Sequence, residues 1–125
     1  MKTNFFIFNP DKEQNELDSE KTLVFAFYNR QNKKEAELIQ SRFPHSTVIG
    51  CSSCGSVLSD SIYEKETVVS VLKLEKSSFT KKTYECSEID NSLKIGEQIG
   101  RDLMGPNIKG PAYALERPCL IRYVI

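Results

Sequence analysis

The sequence has no tryptophan, a single histidine and only four cysteines among its 125 residues. One histidine leaves little room for metal or catalytic chemistry that depends on imidazole. Four cysteines are too few for a disulfide scaffold, and the cytosol keeps such thiols reduced. We therefore expect a cytoplasmic protein with no metal and no cofactor.

The sequence also has no excess of charge of one sign and no long apolar run. The 17 basic residues are matched by 17 acidic ones, which argues against a nucleic-acid partner and against a polybasic membrane surface. No apolar run approaches the roughly 18 residues that span a bilayer. The run at residues 5–8 is shorter than the core of a secretory signal, which needs about 7 residues. A single domain without nucleic-acid or membrane partners is expected.

The first half of the chain has the pattern of a βαβ unit. Residues 4–8 predict a short strand, and residues 22–28 form a continuous apolar run typical of a strand in the middle of a sheet. Asn32 and Glu35 have the spacing of a capping box. One helical face then carries apolar residues at positions 36, 39 and 43. Thr47–Ile49 predicts the next strand, parallel to the first strand of the unit.

The second half is less regular. Residues 68–75 and 79–86 predict a hairpin at a sheet edge. Residues 92–104 predict a second helix, and Gly96 and Gly100 on one face suggest close packing against a sheet. After Gly105 the periodicity fails, so we expect residues 107–125 to pack poorly. Leu120–Ile125 nevertheless has strand composition and could pair with a free edge.

The segment from Gly50 to Ser56 is the best candidate for a binding site. It follows the carboxyl end of a predicted parallel strand, where open α/β sheets bind ligands. Gly50 and Gly55 have the glycine spacing of a phosphate-binding loop, but the lysine that follows in such loops is missing. The segment is therefore not predicted to hydrolyse nucleotides. Serine hydroxyls and backbone N–H groups at a tight turn can hold a small anion such as a carboxylate. The alternative is a sharp turn with exposed serines.

The same segment has two cysteine-based alternatives. Cys51 and Cys54 form C-x-x-C, but no helix pattern follows them, unlike a thioredoxin-like site. A zinc site would need Cys86, Cys119 or His45 as further ligands, and no second close cysteine pair is present. Structural or incidental cysteines are the simpler interpretation.

The pattern resembles the N-terminal half of a FIST domain. The strand at residues 25–28, the helix ending at Phe43-Pro44 and the segment Val48-Ile49-Gly50-Cys51-Ser52-Ser53-Cys54-Gly55 are similar to that family, over roughly residues 22–104. The resemblance implies an intracellular sensory domain of signal transduction, not an enzyme, that binds a small ligand such as an amino acid. It differs at Cys54, where the family usually has a small residue, and at Ser56, where Glu is common.

The chemistry of the segment and the resemblance together predict six ligand-binding residues and no catalytic residue. These are Gly50, Cys51, Ser52, Ser53, Gly55 and Ser56. We expect a mixed α/β fold, in which a β sheet packs with two helices and a βαβ start is followed by a hairpin and a helix. The domain would run over residues 22–104, after a strand and polar linker at 1–21 and before an atypical tail at 105–125. We expect a truncated domain, a small-molecule ligand and a signalling output domain or protein as partners. A cytosolic thiol-disulfide protein and a non-catalytic interaction module are the alternatives.

Overall fold

Four strands form the main sheet of the computed structural model, which describes residues 1–85, 91–103, 112–116 and 120–124. Contacts divide the chain into two units, Met1–Ser77 and Ser78–Ile125. In the first unit, the elements are β1 (Lys2–Ile7), β2 (Thr22–Tyr28), α1 (Lys33–Arg42), β3 (Thr47–Ser52), β4 (Ser56–Leu58), β5 (Ser61–Tyr63) and β6 (Val68–Lys73). The sheet order is β1-β6-β2-β3, and β4 and β5 form a separate hairpin.

The βαβ prediction is confirmed. β2 and β3 are parallel, with Leu23 opposite Thr47 and Tyr28 opposite Ser52. β6 lies between β1 and β2 and is antiparallel to both. The carboxyl ends of β1, β2 and β3 therefore lie along one edge of the sheet, beside the beginning of β6.

The core of this unit lies between the sheet and α1. Val24 and Ala26 of β2 and Val69 and Val71 of β6 are buried there with Ile39 and Phe43. Alternation along a strand puts residues 24 and 26 on one face, and the 3.6-residue period puts 39 and 43 on one side of the helix. The predicted apolar helix face is therefore the face that packs.

The predicted capping box is not formed. A 3₁₀ turn, Arg30–Asn32, precedes α1, and Asn29 caps it by accepting a hydrogen bond from the Gln31 amide. Asn32 makes no side-chain cap. Its amide instead donates to the Lys65 carbonyl at 2.6 Å, and the Glu35 carboxylate accepts from the Thr67 hydroxyl. The two residues bind a neighbouring segment, which offers partners that the local sequence does not show.

The predicted hairpin of residues 68–86 is also wrong. β6 pairs with β1 and β2, so it is an interior strand rather than half of an edge hairpin. A hairpin does follow the βαβ unit, but β4 and β5 form it, with Val57 opposite Ile62. Val68, Val69 and Val71 are buried, and burial on both faces is typical of a central strand.

The second unit contains β7 (Lys81–Glu85), α2 (Ser92–Leu103), β8 (Ala112–Glu116) and β9 (Leu120–Val124). The strands form an antiparallel sheet in the order β7-β9-β8. The strand prediction for residues 120–124 is confirmed, since β9 pairs with β7 from Lys81–Val124 to Glu85–Leu120. Mixed α/β with two helices is the fold class that the sequence predicts. No described helix is both long enough and apolar enough to cross a membrane.

A polar cluster connects α2 to β7. The Tyr84 hydroxyl donates to the Asp102 carboxylate, and the Lys82 ammonium lies 3.1 Å from the same group. These two partners hold the pKa of Asp102 below its ordinary value. The glycine prediction fails on the same helix, because a Cβ at Gly96 or Gly100 would meet no described atom within 4 Å. Within the part of the chain that the structure describes, these glycines therefore have no close neighbour.

Candidate functional site

The carboxyl edge of the main sheet holds the predicted site. β3 continues to Ser52 because its ladder with β2 extends to Tyr28, so Gly50, Cys51 and Ser52 are strand residues rather than loop residues. Ser56 begins β4. Only residues 53–55 form the connecting loop between the two strands. The six predicted residues therefore lie in one continuous segment, and the edge of the sheet sets its position.

The loop uses part of its own hydrogen-bonding capacity. The Ser53 amide donates to the Tyr28 carbonyl at 2.8 Å, which closes the loop onto β2. The Ser53 hydroxyl donates to the Gly55 carbonyl at 2.5 Å and accepts from the Gly55 amide at 3.2 Å. These groups are not available to a ligand without rearrangement. The predicted set of free N–H groups is therefore smaller than the sequence suggests.

Exposure divides the segment into an accessible and an inaccessible part. Ser52, Cys54 and Gly55 are exposed, Cys51 and Ser53 are half-buried, and Ser56 is buried. Neither Cys51 nor Cys54 forms a disulfide within the described part of the chain. The exposed Ser52 hydroxyl at the end of β3 is the group of this segment best placed to meet a ligand.

Gly50 has a structural role that the sequence alone does not reveal. A Cβ at this position would lie 2.8 Å from the Ala26 carbonyl oxygen, closer than real Cβ contacts allow. The parallel register places Gly50 directly opposite Ala26. The glycine therefore permits the close approach of β2 and β3 immediately before the candidate site.

A neighbouring segment, residues 64–67, is fixed against the start of α1. The Asn29 amide donates to the Glu64 carbonyl at 2.8 Å, and the bonds from Asn32 to Lys65 and from Thr67 to Glu35 continue along the segment. Thr67 is buried, and its carbonyl accepts from the Phe8 amide. The sequence did not predict this network. Asn29 and Asn32, just before the helix, are nevertheless residues of a type that often bonds to backbone groups through the side chain.

An open depression of about 330 Å³ lies at this segment, lined by Ile62, Glu64, Lys65 and Glu66. None of the six predicted residues lines it. Ile62 connects the two regions, since its Cγ2 lies 3.8 Å from the position of a Cβ on Gly55. Two carboxylates and one ammonium therefore surround a depression that adjoins the predicted loop.

A second polar cluster lies at the opposite end of β2 and β3. Asp18 accepts a 2.5 Å hydrogen bond from the Ser46 hydroxyl and lies 2.8 Å from His45 Nδ1. The serine hydroxyl bonds to the carboxylate and not to the imidazole, so the three residues do not form a nucleophile–base pair. His45 is 71% exposed. The cluster fixes the polar segment before β2 to the turn before β3.

This cluster predicts a pH effect on stability. Partial burial raises the pKa of Asp18, but the bonds from Ser46 and His45 lower it by more, so the pKa lies below its ordinary value. A carboxyl whose folded pKa is depressed stabilises the fold above its unfolded pKa, and this contribution is lost as pH falls through the folded pKa. We expect Asp18→Asn to lower the free energy of unfolding by about 1–3 kcal/mol at pH 7.

Urea unfolding of both proteins between pH 7 and pH 3 measures this effect. The difference between wild type and Asp18→Asn should shrink as the pH falls below the ordinary carboxyl pKa. Asp11→Asn, at an exposed position, serves as the control and should change stability little. A difference that is independent of pH would contradict the assigned role of Asp18.

No group of three or more His, Cys, Asp or Glu residues in the described ranges could hold a metal ion. Cys86 and Cys119, weighed as zinc ligands, lie outside those ranges. Within the described ranges, the carboxyl edge brings the polar loop next to an open depression that carries both signs of charge.

The family model described as the FIST N domain matches residues 22–121. The match begins at residue 22, as does the domain predicted from the sequence. It extends beyond residue 104, where that predicted domain ends, to residue 121 in β9. No curated protein and no solved structure matches the chain.

Proposed function

The chain belongs to the FIST N domain family, a family of signal-transduction sensory domains, and on that premise we propose that it binds a small ligand in the cytoplasm and transmits binding to an output domain or protein. The ligand class that we propose is an amino acid. The proposed contacts are Gly50, Cys51, Ser52, Ser53, Gly55 and Ser56.

One observation carries this proposal. The segment from Gly50 to Ser56 lies at the carboxyl end of the parallel strands β2 and β3. This is the position at which open α/β sheets bind ligands. At that edge Ser52 is exposed, and the depression lined by Glu64, Lys65 and Glu66 adjoins the loop through Ile62.

The charges around the loop are compatible with a zwitterionic ligand. The exposed Ser52 hydroxyl at the strand end can donate a hydrogen bond to a carboxylate. The Glu64 and Glu66 carboxylates next to Ile62 can receive an ammonium group. An amino acid carries both groups a few ångströms apart, so one small ligand could contact the loop and the depression together.

The thiol-disulfide alternative is less well supported. In thioredoxin-like sites a helix N-terminus follows the first cysteine and lowers its pKa. Here β4 begins two residues after Cys54, so no helix begins within or directly after the C-x-x-C segment. No observation favours catalysis over binding at this segment.

Ligand-induced stabilisation tests the proposal. The purified chain is heated with each of the proteinogenic amino acids at millimolar concentration, and hits are titrated by calorimetry. A ligand at 100 times its dissociation constant should stabilise the chain by about 2.7 kcal/mol. Ser52→Asp places a negative charge at the proposed carboxylate contact, and we expect it to weaken binding at least about tenfold.

The matched control is Ser77→Asp. Ser77 is exposed and follows β6, whose last residue Lys73 lies at the opposite end of the sheet. The same charge change there should leave ligand affinity unaltered. Equal losses in both variants would show a long-range charge effect, and stabilisation by no amino acid would contradict the proposed ligand class.

A further inference from the structure

The outer edge of β1 has backbone groups that are free to pair. β1 is the first strand in the order β1-β6-β2-β3 and has a neighbour only on its β6 side among the described residues. Met1 to Phe5 are all exposed, and the Phe5 side chain is 55% exposed. Natural edge strands are usually protected by proline, a bulge or several charges. Residues 3–7 of β1 carry none of these.

The register determines which backbone groups point outward. The Phe8 amide donates to the Thr67 carbonyl at 2.8 Å, and residues alternate between bonded and non-bonded pairs along an antiparallel ladder. Lys2, Asn4 and Phe6 therefore bond to β6. Thr3, Phe5 and Ile7 direct their N–H and C=O groups to the outer edge.

A side-chain contact confirms this assignment. The Gln14 amide nitrogen donates to the Ile7 carbonyl at 3.4 Å, and its oxygen accepts from the Asn9 amide at 3.1 Å. Gln14 reaches Ile7 and Asn9 from the outer side of β1, so these odd-numbered residues direct their backbone groups away from β6. Gln14 thus covers the Ile7 end of the edge, and the backbone groups of Thr3 and Phe5 have no partner among the described residues.

We propose that this chain self-associates through antiparallel pairing of the β1 edges of two copies. Thr3 of each copy lies opposite Phe5 of the other, and the two Asn4 residues face each other on the two-fold axis. Four main-chain hydrogen bonds form, two at each Thr3–Phe5 pair. The two four-stranded sheets become one continuous sheet of eight strands.

This register is preferred over its neighbours for three reasons. A register centred on Phe5 would need the Ile7 carbonyl, which Gln14 already contacts. A register centred on Thr3 would need the Met1 amino group, which forms a 2.6 Å ion pair with Glu75. In the proposed register, Lys2 lies opposite Phe6, so like charges do not meet, and the Phe5 rings of the two copies are diagonal neighbours within reach of each other.

The other edge of the sheet is less suitable. β3 lies at that edge, but its residues from Thr47 to Cys51 are half-buried or buried. Only Ser52 is exposed there, and the candidate ligand site includes it. The β1 pairing leaves that site untouched, so the association is independent of the proposed function.

Few contacts imply a weak association. Interfaces well below about 1,000 Å² are typical of weak or transient pairs, so we expect the dimer to form only at high chain concentration. Sedimentation velocity from micromolar to about 1 mM chain should therefore show a monomer–dimer equilibrium. A chain that remains monomeric throughout this range would overturn the proposal.

Thr3→Pro tests the backbone bonds directly. Proline removes an N–H that points away from β6, so the sheet itself keeps its bonds. The symmetric dimer loses one bond per copy, and we expect the dissociation constant to rise about tenfold or more. Thr3→Val keeps the N–H and should dimerise like the wild type. Equal behaviour of the two variants, with both folded by circular dichroism, would refute the β1 edge as the interface.

Asn4→Cys tests the register. Facing residues of a non-hydrogen-bonded pair have Cα atoms about 4.5 Å apart, within disulfide range. With oxidised glutathione, the two thiols lose their protons and electrons to form one disulfide, and the glutathione is reduced. Peptide mapping should find the 4–4 crosslink. Phe5→Cys, one residue away, should crosslink far more slowly, and a faster 5–5 crosslink would overturn the proposed register.

Discussion

Replacing Ile39 with alanine should lower the free energy of unfolding by about 2–5 kcal/mol. The Ile39 side chain is completely buried and belongs to the core between α1 and the main sheet. Truncation to alanine removes three buried side-chain carbons from the core and leaves a cavity that the sheet cannot close. Since a domain of this size has about 5–15 kcal/mol of total stability, this loss would be large. Urea unfolding followed by circular dichroism measures it.

Leu38→Ala is the matched control. Leu38 is the preceding residue of the same helix, but its side chain is 44% exposed. Both substitutions have nearly the same effect on helix propensity, so any difference between them comes from burial. We expect Leu38→Ala to change stability by less than about 1 kcal/mol. Similar losses at the two positions would contradict the orientation of α1.

The core could be predicted from the sequence because periodicity determines it. The apolar positions 36, 39 and 43 repeat at helical spacing, and residues 22–28 form an uninterrupted apolar run. Such patterns specify which face of an element is buried, whatever its neighbours are. At the end of the chain, where the periodicity fails, composition alone indicated the strand β9 at Leu120–Val124.

Strand neighbours could not be predicted in the same way. Residues 68–75 and 79–86 are close in sequence, and a hairpin between them is the simplest local pairing. In the structure β6 lies between β1 and β2, which requires contacts with residues more than 40 positions away. The capping-box prediction failed for the same reason, because Asn32 and Glu35 bind residues 65 and 67 instead of their own helix.

The location of the candidate segment in the sheet could be predicted from the sequence, but its hydrogen bonding could not. The order strand, helix, strand placed Ser52 and Ser53 at a carboxyl edge, as the parallel register bears out. The Ser53 hydroxyl and the Gly55 backbone groups bond to each other instead of remaining available to a ligand. This depends on the geometry of the loop, which the sequence pattern does not specify. The adjoining depression depends on the hairpin of β4 and β5, which the sequence pattern did not indicate.

Replacing Gly50 with alanine should cost about 1–3 kcal/mol of stability, the usual range for overpacking a tight site. The added Cβ would lie 2.8 Å from the Ala26 carbonyl oxygen and 3.5 Å from both Ala26 Cβ and Tyr28 Cε1. The nearest atom belongs to the backbone of the central strand β2, which cannot move without disturbing its bonds to β3 and β6. Thermal and urea unfolding of the purified variant give the loss.

Gly55→Ala is the control, because this glycine lies in the same segment but has room. Its nearest neighbour would be Ile62 Cγ2 at 3.8 Å, an ordinary contact, and no described glycine has a positive φ. Alanine at a compatible position reduces the entropy of the unfolded chain and stabilises by about 0.4–1 kcal/mol. We therefore expect opposite signs at the two glycines. A greater loss at Gly55 would show that the loop, and not the approach of β2 and β3, requires glycine in this segment.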